Sequence, residues 1–421
     1  LGAGYFYLKE EIQMSEVLQV LEERGFIKQR THQEPLSKQL EEPTTFYIGF
    51  DATADSLHVG HLLPIMVMAH MRRYGHRPIA VVGGGTTMIG DPSGKTEMRQ
   101  LLSADTISAY AQAIGAQIQG ILDSIPGPPV LMVNNADWLL ELNYIEVLRD
   151  IGVHFSVNRM LTYECFKSRM ERGLSFIEFN YMILQSYDFL TLFRRYGCRL
   201  QVGGDDQWSN IISGIDLIRR LEQEEVYGLT IPLLETADGK KMGKSEAGAV
   251  WLSARHTSPY EFFQYWRNTH DQDVNRFLKL YTFLPVAEID ELTAVEGQEI
   301  NAAKERLAFE VTKLVHGEAE AVEARRAARA LFAGGAKQGA IPSTELNRQR
   351  LEAGINIIDL LLECGLVKSK SEGRRLIQQG GLTLNGERVE DFELMVDLGA
   401  VEGDRIALRK GKKVHHHVVV N

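Results

Sequence analysis

Five short segments in the first half of the chain are almost continuously apolar: TFYIGFDAT (45–53), IAVVGGGTT (79–87), VLMVNNAD (130–137), LQVGGDDQ (200–207) and LTIPLLETADG (229–239). Each ends in glycine or polar residues, and a longer stretch with helical periodicity follows. Strands without polar alternation, each followed by a helix, predict an α/β fold with a parallel sheet covered on both faces. Ligands of such sheets bind outside the carboxyl ends of the strands, so Asp51, Gly83, Asp137, Asp206 and the 236–245 loop are expected around one site. After Pro259 the pattern becomes helical, through SPYEFFQYWRNT, DVNRFLKLYTFL and a run from Asn301 to Phe332 rich in Ala, Glu, Lys and Arg. GGAKQGAIPST (334–344) reads as a connector. Beyond it, INIIDLLLECGLVKSKSEGRRLIQQGGLTLNGERVED predicts two helices and a hairpin that turns at Asn385-Gly386. The expected organisation is a sheet domain over 15–235, a helical domain with its preceding loop over 236–333, a linker over 334–351 and a small α+β module over 352–421.

Composition narrows the class. With 421 residues, 44% of them hydrophobic, the chain can bury two or three cores without disulfides. Cys165, Cys198 and Cys364 are odd in number, widely spaced and lack CxxC spacing, which speaks against a disulfide framework or zinc knuckle and fits a reducing cytoplasm. No apolar run approaches the roughly 20 residues of a membrane span, and the N-terminus shows neither a signal-peptide nor a transit pattern. A formal charge of -10 argues against a surface coated by nucleic acid, though not against a local basic face.

Two phosphate-binding motifs are approached and missed. In IGDPSGKT (89–96) three residues separate Gly90 from Gly94 where a P-loop needs four, and Met88 stands where a dinucleotide fingerprint needs its third glycine. HVGH is more informative. His58 and His61 stand at the start of a predicted helix, where imidazole N–H donors beside its positive end form an anion site, and Gly60 lets a planar group lie against the backbone. A zinc site is the alternative for such a pair, but no third ligand is evident nearby. A second basic element is DGKKMGKSEAG (238–248), where Lys241 and Lys244 occupy a glycine-flanked loop after the last strand and can bring point charges to a polyphosphate.

In this order HVGH and KMGKS resemble the HIGH and KMSKS signatures of class I aminoacyl-tRNA synthetases. YIGFDATADSLHVGHL, VVGGGTTMIGDPSGK, HFSVNRM, SFIEFNYMILQSYDF and QVGGDDQWSNI are each similar to segments of the bacterial-type tyrosyl-tRNA synthetase family. The resemblance runs from about Ser15 to the end. It implies a Rossmann-like catalytic domain with a dimerisation insert, an α-helical anticodon-side domain and an S4-like RNA-binding module. The implied reaction activates tyrosine with ATP and passes it to tRNA(Tyr). Carried over by position, His58, His61, Thr53, Lys241, Lys244, Lys95 and Arg99 serve the triphosphate and leaving pyrophosphate. Asp51, Gly60, Gly204, Asp206 and Gln207 bind ATP, while Tyr47, Asp91, Tyr181, Gln185 and Asp188 bind tyrosine. Tyr181, Gln185 and Asp188 also share one face of a predicted helix. Mg²⁺ accompanies the ATP, and no tightly bound cofactor or protein-held metal is expected. The chain departs from the family pattern at Ala52, Gly243 and Asp205, the last adding a charge beside the proposed ribose contact.

The C-terminal module is basic on an acidic chain. Lys368, Lys370, Arg374 and Arg375 precede the hairpin and are the expected tRNA contacts, with further cations from Arg405 to Lys413. The family resemblance implies a homodimer, here through the segment around DWLLELNYIEVLRDIGVHFSVN. Two other readings stay open: a small-molecule nucleotidyltransferase that shares the HxGH helix start, and a non-catalytic RNA-binding relative. The first does not account for the helical domain and basic tail, nor the second for the intact site residues.

Overall fold

The computed structural model describes residues 14–93, 102–170, 173–237, 239, 242, 244–245, 248–295, 297–332, 343–411 and 414–420. The chain folds as two compact units. One holds the described residues up to Thr257 with Tyr265–Gly317, and the other holds Ser258–Gln264 with the described residues from Glu318 on.

The first unit is built on strands β1 (Gln29–Arg30), β2 (Thr45–Asp51), β3 (Arg77–Gly83), β4 (Leu131–Asn134), β5 (Leu200–Gly204) and β6 (Tyr227–Ile231). They lie in the order β1-β6-β5-β2-β3-β4. Every neighbouring pair is parallel except β1 with β6, which is antiparallel. The expected parallel sheet is present, with a two-residue edge strand that the sequence pattern did not reveal. Connections run outward from β2 to one side through β3 and β4, then cross to β5 and β6 on the other. The switch point therefore lies between β2 and β5, the position at which ligands of such sheets bind. The last of the five apolar runs pairs over Tyr227–Ile231, and its remainder, from Pro232 on, leaves the sheet.

Helices α1 (Val59–Arg73), α2 (Ala104–Asp123), α3 (Phe176–Tyr196) and α4 (Trp208–Leu221) connect these strands. In α3, Ser175 and Glu178 form a reciprocal capping box and Gly197 closes the helix at φ 62°, so both ends are fixed in the sequence. Ile79, Val81, Phe189, Leu190, Leu192, Ile211 and Ile218 form a core that also includes the rings of Tyr47 and Trp138. The same unit holds the helices α5 (Val274–Tyr281) and α6 (Ile300–His316), where the Trp266 ring packs 4.8 Å from that of Tyr281.

In the second unit, α7 (Ile357–Glu363) and α8 (Lys370–Gln378) are the two expected helices. The expected hairpin also forms, with Asn385 and Gly386 at φ 50° and 90°, the left-handed pair that a tight two-residue turn requires. That hairpin is part of a larger sheet that the sequence pattern left unread. Residues 334–351 were expected as a linker, yet Ser343–Leu346 is a strand pairing parallel to Val414–Val420, and Arg348–Glu352 is a short helix. Four residues of strand beside a Gly-rich stretch are too few for their alternation to show. Residues 334–342 lie outside the described residues.

Candidate active site

The carboxyl ends of β2, β3 and β5 gather most of the expected residues. Asp51 ends β2 and Gly204 ends β5. Thr53 follows on an exposed turn whose N–H bonds the Asp51 carbonyl at 3.0 Å. His58 is the N-cap of α1. Its Nδ1 accepts the Gly60 N–H at 3.0 Å, and the His61 Nδ1 accepts the His58 N–H at 3.2 Å. A neutral ring that accepts at Nδ1 carries its proton on Nε2, so both imidazoles are set in the tautomer that donates from the outer nitrogen. This supplies N–H donors at the positive end of a helix. Gly60 is required here because a Cβ would stand 2.7 Å from His58 Cε1 and 3.4 Å from the Met242 carbonyl oxygen.

That last distance places Met242 against the start of α1. Beyond the loop, β7 (Lys244–Ser245) and β8 (Gly248–Ala249) form a short hairpin. The chain then runs beside the entry to α1, with the Val59 N–H on the Val250 carbonyl at 2.9 Å and the Leu252 N–H on the Leu57 carbonyl at 2.8 Å. For Lys244 the backbone position is described. Lys241, Lys95 and Arg99 lie outside the described residues.

A polar network occupies the side towards β5. Asp91 accepts the Ser93 N–H at 2.9 Å and the Gln207 side-chain amide at 2.7 Å. Asn210 donates to the Gln207 and Gln185 carbonyl oxygens, each at 3.0 Å. Burial, and then the neighbouring Asp91 charge, raise the pKa of Asp206. Asp205 faces away from this network, accepting from Gln29 at 2.6 Å and Thr230 at 2.9 Å, so its extra charge is tied to the sheet edge.

The floor of the site is a buried cluster of Asp188, Asn135, Thr86 and Tyr47. Asp188 on α3 is 4% exposed. It accepts the Trp138 indole N–H at 2.7 Å on one oxygen and the Asn135 amide at 2.9 Å on the other. Burial pushes its pKa up to about 7, against the pull of those two bonds. Tyr47 lies close enough for burial, and then the Asp188 charge, to raise its phenol. Its buried hydroxyl has no hydrogen-bond partner among the described residues. Asn135 also donates to Thr86 at 3.0 Å, and Thr86 to Asp51 at 3.2 Å, with the Tyr181 hydroxyl 3.5 Å from the same Asp51 oxygen. A hydrogen-bonded chain therefore links the floor to the end of β2.

The sequence reading missed Asn135, Trp138, Thr86 and Asn210. Its strand-end rule pointed to the right place after β4 but selected the charged Asp137. That residue is exposed, while its neighbours Asn135 and Trp138 are buried. In the second unit Lys368, Lys370, Arg374 and Arg375 are all exposed at the start of α8 and on it. Lys370 pairs with Asp359 at 2.7 Å, and the Arg374 guanidinium lies over the Phe392 ring.

Comparison with known proteins places this geometry. A family model described as tRNA synthetases class I (W and Y) matches residues 38–333, and one described as the tyrosine–tRNA ligase SYY-like C-terminal domain matches residues 335–418. The tyrosine–tRNA ligase of Acetivibrio thermocellus is 60% identical over 406 residues, 96% of this chain and 99% of that protein. That of Caldanaerobacter subterraneus subsp. tengcongensis is 57% identical over 405 residues, again 96% and 99%. The crystal structure of a C-terminally truncated Aspergillus nidulans mitochondrial tyrosyl-tRNA synthetase superposes with a TM-score of 0.68 at 31% identity, covering 75% of this chain and 94% of that one.

Proposed function

The chain belongs to the class I tRNA synthetases of the tryptophan and tyrosine group, and from that premise we propose how its residues carry out the work of a tyrosine–tRNA ligase. Such an enzyme joins tyrosine to ATP, releases pyrophosphate and transfers the tyrosyl group to tRNA(Tyr). A carboxylate oxygen of tyrosine attacks the α-phosphorus, and the bond to the bridging oxygen breaks. The 3′-terminal ribose hydroxyl of the tRNA then attacks the acyl carbon and AMP leaves. Neither step needs a protein nucleophile, so the chain contributes position and charge.

Tyr47 and Asp188 hold the substrate phenol, and Asp91, Tyr181 and Gln185 surround its ammonium. The observation that carries this reading is the buried Tyr47 hydroxyl, which lies beside Asp188 and has no hydrogen-bond partner among the described residues. An unsatisfied buried hydroxyl costs about 1–3 kcal/mol, and a phenolic ligand removes that cost where phenylalanine leaves it in place. Asp206 and Gly204 hold the ribose with Gln207 beside them, and Asp51 and Gly60 line the ATP path. Thr53 and the Nε2–H groups of His58 and His61 donate to the triphosphate. Lys241, Lys244, Lys95 and Arg99 neutralise the departing pyrophosphate. Mg²⁺ enters with the ATP as the counter-ion of its phosphates. The histidine Nδ1 lone pairs are already taken by backbone N–H groups, which suits these rings to donate to phosphate oxygens and not to ligate the ion.

Adenylate chemistry belongs to residues 15–235 with the loop and helices of 236–333. Recognition of tRNA belongs to the module from about 352 onward, through Lys368, Lys370, Arg374 and Arg375. Leu140, Tyr144, Ile145, Leu148, Val153 and Val157 are large, apolar and exposed along one stretch. Such a patch supports a homodimer through this segment. Sedimentation of the chain and of Ile145→Glu tests it, a monomeric parent being the adverse result. Cys165, Cys198 and Cys364 are free thiols and no helix among the described residues is long and apolar enough to cross a membrane, which suits the cytoplasm. The central test is ATP–pyrophosphate exchange driven by each proteinogenic amino acid in turn. Tyrosine alone should support it, and equal exchange with phenylalanine would overturn the assignment of Tyr47 and Asp188.

A further inference from the structure

Four side chains, a carboxylate and three rings, stand in sequence at the entry to α1. The Asp55 carboxylate is 2.9 Å from the His256 Nε2. The His256 ring is 5.6 Å from that of Trp251, and the Trp251 ring meets that of His58 edge to face at 6.3 Å. The backbone under this row is paired as well. His58 and Trp251 form an antiparallel bridge, and the Val59–Val250 and Leu57–Leu252 bonds lie on either side of it. Ser56 adds a third tie by accepting the Ser253 N–H at 3.2 Å. On the far side, Gln117 of α2 accepts the Leu57 N–H at 2.8 Å and donates to Ser56 at 3.0 Å. The turn that carries His58 is thus gripped from two sides, by α2 and by the segment that leaves the lysine loop.

We propose that Trp251 is a positioning residue for His58: its ring and the paired strap Val250–Leu252 hold the imidazole in place. The inference rests on the phosphate-binding role given to His58 above. Its physical basis is that the constraints on the His58 ring differ in kind. The Gly60 N–H on Nδ1 fixes the tautomer, and the His61 ring packs 4.0 Å away. The edge of the indole adds a T-shaped contact, which is directional and resists tilting of the ring. Holding a donor to within a fraction of an ångström matters only where charge develops, so the loss should appear in the rate and not in ground-state binding.

Four variants test this in the full chain: Trp251→Leu, Trp251→Phe, His58→Ala and the double change His58→Ala with Trp251→Leu. Single-turnover formation of tyrosyl-adenylate should slow between about ten- and a hundredfold in Trp251→Leu, with tyrosine dissociation within about twofold of the parent and an unchanged melting profile. Trp251→Phe, which restores an aromatic edge, should recover most of the rate. If Trp251 acts through His58, adding Trp251→Leu to His58→Ala should slow the reaction no further. A parental rate in Trp251→Leu, a loss of tyrosine binding as large as the loss of rate, or multiplicative effects in the double variant would overturn the proposal. One readout is independent of activity: the imidazole nitrogen resonances of His58 in histidine-labelled protein. They should shift in Trp251→Leu and return towards the parental position in Trp251→Phe. Unmoved His58 signals would overturn the positioning role even if exchange assays failed for every amino acid, a failure that would instead count against the assigned reaction.

Discussion

At the end of the site proposed to take tyrosine the carboxylate is buried and both of its oxygens are held, Asp188 by Trp138 and Asn135. At the end proposed to take the phosphates Thr53 is exposed, and His58 and His61 are half-buried on a strand-to-helix turn. On the proposed function the contrast follows from what each end must do. Choosing between side chains that differ by one hydroxyl requires a site where a missing partner is costly, hence desolvated and fully bonded. Stabilising a charge that exists only while pyrophosphate departs requires donors that commit late, and these remain accessible to water until then.

The sharpest way to break this contrast is Asp188→Asn. The substitution removes a charge-assisted bond and sets an NH₂ group against a Trp138 or Asn135 donor. Together these losses amount to roughly 4 kcal/mol, or about a thousandfold in kcat/KM for tyrosine. Phenylalanine, which makes no such bond, should change less than about tenfold. A tyrosine-to-phenylalanine ratio that stays constant, alongside a lowered melting temperature, would reduce Asp188 to a packing residue.

At the other end, Lys244→Ala should slow single-turnover adenylate formation about a hundredfold while leaving the dissociation constant for tyrosine unaltered. Parental adenylation kinetics would remove the lysine from the reaction.

The acidity of Asp188 sharpens the comparison further. With a folded pKa near 7, the carboxyl takes up a proton as pH falls through that value and loses its strength as an acceptor. The KM for tyrosine should therefore rise on acidification below about pH 7, while that for phenylalanine stays level. Trp138→Phe deletes a bond that favours the ionised form, so the limb should move upward by about one unit, worth roughly 1.4 kcal/mol. For folding the sign is opposite. A raised carboxyl contributes most below its unfolded value of about 4 and loses that contribution as pH rises through about 7, so tyrosine should protect against heat most strongly on the alkaline side. A flat tyrosine profile between pH 6 and 8, at about one unit either side, would contradict the assignment.

The smallest effect is expected at Asp205→Ser. Its carboxylate is bonded to Gln29 and Thr230 and not directed at the ribose loop. The KM for ATP should move less than about threefold, and the protein should lose about 1 kcal/mol of stability by chemical denaturation. A larger change in ATP kinetics without loss of stability would show that the charge acts on the nucleotide.

Much of this arrangement was legible in the sequence, and its gaps have physical causes. Four of the five parallel strands announced themselves because burial on both faces leaves little polar alternation, while β4, exposed or half-buried along its length, was readable from its apolar residues alone. HVGH and the lysine loop stood out because glycine and charge are rare together at such junctions. The edge strand Gln29–Arg30 was invisible because two polar residues carry no periodicity. Asn135 and Trp138 were missed because attention went to Asp137, the charged residue of the trio. A neutral amide and an indole recognise a carboxylate through direction, which only coordinates reveal. In the C-terminal unit the Asn385-Gly386 turn was readable residue by residue. Strand Ser343–Leu346 finds its partner about 70 residues later, at a separation that local pattern cannot bridge.

The double grip on Asp188 bears on redesign of the amino acid the enzyme accepts. Its members come from two places in the chain: the carboxylate from the middle of α3, its two donors from the residues just after β4. Exchanging Asp188 for an apolar side chain leaves an indole N–H and an amide facing a surface that cannot answer them. Exchanging the donors leaves a buried carboxylate unsupported. An altered preference is therefore reached through a coordinated replacement of Asp188, Asn135 and Trp138, with Tyr47 opposite, and stepwise libraries that vary one position at a time will pass through poorly folded intermediates.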